Sequence, residues 1–243
     1  MVVPLSHRLL DLDSRTLERR VRENPIVIVP VGALEAHGPH LPLGADQIQA
    51  ERTAEDLAER IGALVAPTLP YGNCAGTRPF PGTVSVSIGS LSRMMRELLE
   101  ELARTGFRRV LVLSGHAAQG HMAALREGAD EAVRAVPALR VAVLSDYDFV
   151  YELRGTLSPA TDGHGGLLET SRVMAMKPEL VGRERPKVEY RYSRFRVGDP
   201  TVEEWSESVI GDTASASSEL GQRVQAHVLD RLEATVRELL PAT

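Results

Sequence analysis

The chain has 243 residues, of which 43% are hydrophobic and 25% are charged, proportions that are ordinary for a globular protein with a sizeable core. Its formal net charge of -5 provides no basic surface for nucleic acid or for an acidic membrane, so we expect a small-molecule or peptide substrate and neither nucleic acid nor membrane as a partner. Nothing in this length requires a second domain, and we expect residues 1–243 to form one.

The sequence shows no pattern of export or membrane insertion. The first residues lack a basic segment followed by an apolar one, and no window approaches the roughly 20 apolar residues of a membrane span. A single cysteine, Cys74, excludes an intramolecular disulfide and a paired-cysteine metal site, so any metal would be held by histidine and carboxylate groups. We therefore expect a cytoplasmic protein.

Apolar strands alternate with amphipathic helices along most of the chain. In chain order the patterns predict a helix at 14–22, a strand at 26–31, a helix at 47–61, strands at 64–70 and 84–88, a helix at 93–105 capped by Ser90 or Ser92, a strand at 109–114, a helix to about 136, a strand at 139–144, and helices at 167–176 and 219–240. Repeated strand–helix–strand units with apolar strands indicate a three-layer α/β/α fold with a mostly parallel central sheet.

Two long segments lack a regular pattern. Residues 71–83 contain three Gly and two Pro, and a loop of this length often carries function. Its candidate substrate-binding residues are Arg78 and Cys74. Arg78 suits an anionic substrate group or a structural carboxylate, and Cys74 suits a small packing residue better than a nucleophile because no base lies nearby in sequence. Residues 181–218 are polar and weakly periodic, which favours a surface excursion or a subunit contact.

Ionisable groups crowd into the loop that follows the strand at 26–31. Glu35, His37 and Asp46 lie within twelve residues there, among apolar neighbours that a solvated loop would not need. Open α/β sheets bind ligands at the carboxyl ends of their strands, and carboxylate with imidazole is a ligand set for divalent transition metals. The loop therefore predicts a metal site, with hydrolysis as the reaction class.

Further histidines lie in loops that a parallel sheet would bring to the same edge. His116 follows the strand at 109–114, and His164 precedes the helix that begins with Glu169 in its first turn. Glu169 also suits the helix N-terminus electrostatically, and His164 suits a purely structural loop role. His40 and His121 are interpreted as turn-stabilising or supporting residues.

Five short motifs, the second of them in two parts, follow one another between residues 30 and 212. They read PVGALEAHGPHLPLGAD (30–46), YG (71–72) with FPGT (80–83), SGH (114–116), HGGLLETS (164–171) and VIGD (209–212). The series resembles the motifs of the creatininase (creatinine amidohydrolase) family from about residue 25 to the C-terminus, and its first and fourth members are the specific ones. The resemblance implies an α/β fold, two divalent metals, hydrolysis of non-peptide or unusual C–N bonds, and a homo-oligomer, often a hexamer.

Carried over motif by motif, the resemblance implies a full ligand set. Glu35, His37, Asp46 and His116 would bind the metals, with Asp46 bridging them, and His164 would shuttle a proton near the substrate. Zinc is the expected metal, with manganese or iron as alternatives. Creatininase itself has a further Glu ligand where this chain has Ala118, so the resemblance makes Glu169 the fifth ligand instead.

The substrate expected from these motifs is not creatinine. The tryptophan that creatininase carries shortly before His164 is missing, and the only tryptophan is Trp205. We therefore expect a dinuclear amidohydrolase that cleaves a cyclic amide or formamide in a small molecule, with Arg78 suited to an anionic group of the substrate or to a structural carboxylate. The family also contains formamide-cleaving enzymes and a peptidase of the mycofactocin precursor. A peptidase of a modified peptide is one alternative here, and a catalytically silent metal-containing scaffold is another.

Overall fold

The computed structural model of the chain describes residues 6–23, 26–191, 195, 197–198 and 200–241. Its helices are α1 (Ser14–Arg22), α2 (Ala45–Ile61), α3 (Ile88–Arg104), α4 (Gln119–Ala135), α5 (Tyr147–Val150), α6 (Leu167–Met176) and α7 (Ser218–Leu239). Its strands are β1 (Ile26–Val31), β2 (Leu64–Val65), β3 (Arg109–Ser114), β4 (Arg140–Ser145), β5 (Lys187–Val188) and β6 (Gly211–Asp212). Short 3-10 turns lie at Leu9–Asp11, Tyr151–Leu153, Pro178–Leu180 and Ser206–Ser208.

Four parallel strands form the central sheet in the order β2–β1–β3–β4. Val31 of β1 pairs with Ser114 of β3, and Ser114 pairs in turn with Ser145 of β4. Three strands therefore end at the same level, and the loops that follow them emerge side by side at one edge of the sheet. This register brings the loop after β1 next to the loop after β3.

Helices cover both faces of the sheet because successive side chains of a strand point to opposite sides. On one face, Ile28 belongs to a buried cluster with Leu57 of α2 and Val228 of α7. On the other face, Val29 belongs to a cluster that contains Met95 of α3. The expected three-layer α/β/α architecture is confirmed, and all neighbouring strands in the four-stranded sheet are parallel.

Helix α7 closes one outer layer and lies directly against α6. Gly221 permits this close approach, since a Cβ atom at that position would lie 1.9 Å from the backbone oxygen of Ser171. Because α6 also carries Glu169, the packing of α7 supports one of the candidate ligands. Among the helices that the described ranges contain, none has both the length and the apolar character that a bilayer crossing demands.

Two predicted strands differ from the structure. The strand at 64–70 is reduced to Leu64–Val65, after which Leu69 makes an isolated bridge to β1, because Pro67 and Pro70 have no N–H group for a continuous ladder. The strand at 84–88 is also wrong: Val84 and Ser85 make isolated bridges only. The hydroxyl of Ser87 then accepts the N–H of Ser90 and starts α3 at Ile88, five residues before the predicted start.

The polar segment at 181–218 is more than a surface excursion. Its strands β5 and β6 pair antiparallel, and Trp205 is fully buried between them and the rest of the domain. Ile210 donates its N–H to the carbonyl of His164 at 2.7 Å and accepts from the N–H of Gly163 at 2.9 Å. The segment therefore packs against the loop that bears His164, although residues 192–194, 196 and 199 lie outside the described ranges.

Candidate metal centre

Four segments bring the predicted metal ligands together at the carboxyl edge of the sheet. Glu35 and His37 come from the loop after β1, Asp46 from the first turn of α2, His116 from the loop after β3, and Glu169 from the first turn of α6. The carboxylate-bearing residues are 1 to 3% exposed, and both histidines are also buried. The expected convergence is therefore present in the structure, and binding of a metal by these residues stays a prediction.

His116 turns one ring nitrogen toward two carboxylates. Its Nε2 lies 3.0 Å from the carbonyl oxygen of Asn73, and since a carbonyl can only accept, Nε2 carries the proton. Nδ1 lies 2.7 Å from Oε1 of Glu35 and 3.1 Å from Oδ2 of Asp46. In the neutral ring this nitrogen would present a lone pair to two negative groups, an arrangement that a proton or a metal cation between them would stabilise.

His37 also turns one ring nitrogen toward two carboxylates, in this case Nε2. Its Nδ1 donates to the backbone oxygen of Glu35 at 3.1 Å, which leaves Nε2 to face the site. Nε2 lies 3.2 Å from Oδ1 of Asp46 and 3.4 Å from Oε1 of Glu169. The two oxygens of Asp46 thus face different histidines, as a carboxylate that bridges two metals would.

The buried carboxylates attract positive charge to this cluster. Burial alone would lower the pKa of His37, but Asp46 and Glu169 outweigh it and raise that pKa well above its ordinary value. Burial likewise opposes protonation of His116, yet Glu35 and Asp46 raise its pKa well above the ordinary value. Burial would raise the pKa of Glu35, whereas His116 and the nearby histidines hold it well below its ordinary value. Divalent cations would replace protons here, and their binding would release those protons.

Unsatisfied oxygen atoms test whether these residues fit a metal. Oε1 of Glu35 and Oδ2 of Asp46 are buried without a hydrogen-bond partner among the described residues. Ligand atoms of His37, Asp46 and Glu169 lie within 4.8 Å of one another, and so do those of Glu35, Cys74 and His116. The donor set and its orphaned oxygens fit divalent cations.

Three supporting residues could not be identified from the sequence. Thr77 donates its hydroxyl to Oε2 of Glu35 at 2.5 Å. Gln49 donates to Oε1 of Glu169 at 3.0 Å and accepts from the hydroxyl of Tyr147 at 3.0 Å. Such partners fix the orientation of ligating carboxylates. Gln49 lies one helical turn after Asp46 on α2, and this i,i+3 spacing was the one available signal.

His164 lies beside the cluster and remains partly exposed. Its ring centroid is 4.2 Å from that of His37, and one of its ring nitrogens groups with ligand atoms of Glu35 and His37 within 4.8 Å. Nε2 donates to the backbone oxygen of Ala36 at 2.7 Å, so Nδ1 of the neutral ring keeps a lone pair. That lone pair makes the ring a candidate proton carrier.

An aromatic cluster lies next to His164, supplied by a segment that sequence spacing did not connect to it. Trp205 lies 5.5 Å from His164 between ring centroids, stacks on Tyr190 at 5.1 Å and meets Phe80 edge-on at 5.4 Å. The indole N–H of Trp205 donates to the backbone oxygen of Val209. Because Trp205 is fully buried, it supports His164 from behind and offers no face to a substrate.

The other residues singled out in the sequence are Cys74 and Arg78 of the loop at 71–83 and the two histidines His121 and His40. Cys74 is buried against the candidate ligands Glu35 and His116, whereas Arg78 is exposed in the same loop. His121 accepts the N–H of Asn73 and shares a hydrogen bond with Ser114, and burial lowers its pKa to about 3. His40 likewise shares a hydrogen bond with the hydroxyl of a residue on α6. Both histidines make the supporting contacts expected of them.

Comparison with known proteins identifies the family. The creatininase model, described as creatinine amidohydrolase, matches residues 11–236. Creatinine amidohydrolase of Pseudomonas putida is 32% identical over 256 residues, which cover 96% of this chain and 97% of that protein. Mycofactocin precursor peptide peptidase of Mycolicibacterium smegmatis is 32% identical over 222 residues, which cover 85% of this chain and 82% of that protein.

Solved structures extend this likeness to the whole fold. A manganese creatininase and a mutant creatininase of the Zn-Zn type each align with a TM-score of 0.89 at 29% identity, covering 98% of this chain and 100% of theirs. The arrangement of strands and helices thus agrees with these structures over nearly the full length of the chain. The chain belongs to the creatininase family of amidohydrolases.

Proposed function

We propose that this protein is a dinuclear metal-dependent amidohydrolase that cleaves a non-peptide C–N bond, a cyclic amide or a formamide, in a small molecule. The observation that carries this proposal is the position of Asp46, whose two oxygens lie 3.2 Å from His37 and 3.1 Å from His116. A buried carboxylate between two imidazoles, each with a second carboxylate nearby, is suited to bridging two cations.

Two subsites share this carboxylate. Glu35, Asp46 and His116 would hold one ion, because Nδ1 of His116 lies 2.7 Å from Glu35 and 3.1 Å from Asp46. His37, Asp46 and Glu169 would hold the other, because their ligand atoms lie within 4.8 Å of one another. Two divalent ions in such a site lower the pKa of water and polarise a carbonyl oxygen. Zinc is the proposed metal and manganese or iron the alternatives, in keeping with the manganese and Zn-Zn forms of solved relatives.

Glu169 takes the place of the ligand that the sequence lacks at Ala118. Its Oε1 faces Nε2 of His37 at 3.4 Å, and its Oε2 accepts the backbone N–H of Gly165 at 2.8 Å. The hydrogen bond from Gln49 holds the same carboxylate from the other side. This residue is therefore already oriented as a ligand without a carboxylate at position 118.

We place proton transfer on Nδ1 of His164. Because Nε2 is held by the backbone oxygen of Ala36, the ring presents its other nitrogen for a proton that passes to the leaving amide nitrogen. A His164→Ala variant is expected to lose about 10²–10⁴-fold in kcat, measured by steady-state kinetics, while its metal content stays at the wild-type level. His227→Ala removes a half-buried histidine of α7 that pairs with Glu152 and serves as the control. An unchanged kcat in His164→Ala would contradict this assignment.

The substrate is proposed to be a small molecule other than creatinine, bound with the help of the loop at 71–83. Arg78 is exposed in this loop, where a guanidinium can receive an anionic group, and Thr77 beside it bonds Glu35. No exposed tryptophan lines the site, since Trp205 is buried. We further propose a homo-oligomer, a hexamer by analogy with the family.

A substrate panel with controlled metal content tests the proposed function. The protein is stripped by a chelator, reloaded with zinc, manganese or iron, and incubated with formamides, lactams and short peptides. We expect no hydrolysis by the stripped protein and recovered cleavage of formamides or lactams after reloading, followed as released amine. Full activity without metal would contradict the proposal.

Two other outcomes of that panel would support different functions. Cleavage confined to peptides would favour a precursor-peptide peptidase. The 32% identity to the mycofactocin precursor peptide peptidase is the observation that motivates this alternative. Retention of metal without turnover of any amide would favour a silent scaffold. Only turnover of the non-peptide amides agrees with the function proposed here.

A further inference from the structure

The single thiol of the chain lies within the metal cluster. Cys74 is 1% exposed, and its sulfur, a ring nitrogen of His116 and a carboxylate oxygen of Glu35 all lie within 4.8 Å of one another. Two donors of one tetrahedral zinc ion lie about 3.6 Å apart, from Zn–S and Zn–N bonds of about 2.3 and 2.1 Å. The three atoms are therefore near enough to one another for small movements to bring them into a shared ligand sphere.

The loop at 71–83 fixes the position of this sulfur. The N–H of Cys74 donates to the hydroxyl of Ser85 at 2.9 Å, and the carbonyl of the neighbouring Asn73 accepts from His116 at 3.0 Å. Thr77, three residues further, donates to Glu35. The same short loop thus orients both of the groups that accompany Cys74.

A separate observation indicates that a cation belongs between these groups. Oε1 of Glu35 is buried and has no hydrogen-bond partner among the described residues. It lies 2.7 Å from Nδ1 of His116, the ring nitrogen that faces the site while Nε2 donates to Asn73. A carboxylate oxygen, an imidazole nitrogen and the sulfur thus lie within 4.8 Å of one another, and this set of donors suits zinc better than manganese.

We propose that Sγ of Cys74 is a ligand of the metal subsite formed by Glu35, Asp46 and His116, and that it makes this subsite selective for zinc over manganese. The inference rests on the metal site of the proposed function and adds a ligand to it. On binding, the S–H proton leaves to solvent and a sulfur–metal bond forms without any change in oxidation state. This role differs from the substrate-binding role that the sequence suggested for Cys74.

Cobalt(II) substitution tests the proposal without relying on activity. A thiolate on cobalt gives an intense charge-transfer band in the near ultraviolet, and Cys74 is the only cysteine in the sequence, so such a band can have no other protein source. We expect the band when the stripped wild-type protein is loaded with cobalt(II). In Cys74→Ser the band should be absent while the weaker visible bands of bound cobalt(II) remain.

Competition between zinc and manganese gives a second test of the role of Cys74. The ratio of zinc affinity to manganese affinity should fall by about 10-fold or more in Cys74→Ser and in Cys74→Ala, the scale on which changes around a metal alter its affinity. Equilibrium dialysis with both metals measures this ratio directly, and two substitutions guard against a folding defect in either one.

The outcomes separate this proposal from the one on which it rests. Cobalt(II) bound to the wild-type protein without a charge-transfer band would overturn the role of Cys74 and leave the metal site intact. Failure of the wild-type protein to bind cobalt(II), zinc or manganese would overturn both. A charge-transfer band that persists in Cys74→Ser would also overturn the role of Cys74, since no thiolate would remain.

Discussion

An Asp46→Asn variant is expected to lose hydrolytic activity and to bind fewer than two divalent ions per chain. Asp46 is 2% exposed and is placed with one oxygen toward His37 and the other toward His116, so neither subsite keeps its full negative charge after the substitution. The loss of activity should exceed ~10–100-fold, which is the loss typical when a residue that hydrogen-bonds to a metal ligand is removed. Steady-state kinetics and elemental analysis of the purified variant measure the two effects.

A matched control for this substitution lies on the same helix. Glu59 is an exposed carboxylate of α2, far along the helix from its first turn, and Glu59→Gln should leave metal content and activity at the wild-type level. If Asp46→Asn retained two ions and wild-type turnover, the bridging role of Asp46 would be wrong. Equal losses in both variants would point to damage to the helix and not to the site.

An Arg172→Met variant is expected to destabilise the fold by about 3–5 kcal/mol, the cost of leaving one partner of a buried ion pair without the other. The guanidinium of Arg172 donates to Asp146 at 2.7 Å, and both side chains are fully buried. Burial raises the pKa of Asp146 even with Arg172 beside it, which shows how strongly this position resists an unpaired charge. Urea unfolding of the metal-free protein measures the effect without a contribution from metal binding.

Two further variants serve as comparisons for the stability of Arg172→Met. Arg60→Met breaks a pair with Asp230 at 2.7 Å in which the side chains are 35% and 73% exposed, so it should cost only about 0–1 kcal/mol. The double variant Arg172→Met/Asp146→Leu removes both buried charges and should recover most of the lost stability. A change within about 1 kcal/mol for Arg172→Met, the range of an exposed pair, would show that the buried pair does not stabilise the fold as proposed.

The layered fold could be predicted because short apolar stretches of the sequence determine it. The apolar runs at Ile26–Val31 and Arg109–Ser114 leave no polar face, and only a sheet covered on both sides buries such strands. The start of α3 could not be predicted in this way. Alternation in 84–88 resembled a strand, but the cap formed by Ser87 decided where the helix began, and several serines there offered the same capping chemistry.

The candidate ligands were also visible in sequence, because ionisable groups crowd between apolar neighbours and follow the motifs of a known family. The residues that hold these ligands in place by hydrogen bonds were not visible in the sequence. Tyr147 lies 98 positions from Gln49 in the sequence, and Gln49 lies 120 from Glu169, so these contacts exist only once the fold has brought α2, α5 and α6 together. Trp205 likewise lies in a segment that composition marked as polar, although the indole is fully buried beside His164.

The position of the metals in crystals of the loaded protein tests the central claim most directly. Anomalous scattering at the absorption edge of the bound metal should show two peaks about 3.5–4 Å apart, the spacing typical of two-metal hydrolytic sites. One peak should lie among Glu35, Asp46 and His116, and the other among His37, Asp46 and Glu169. A single peak, or none at these five residues in protein that hydrolyses its amide substrate, would contradict the dinuclear site.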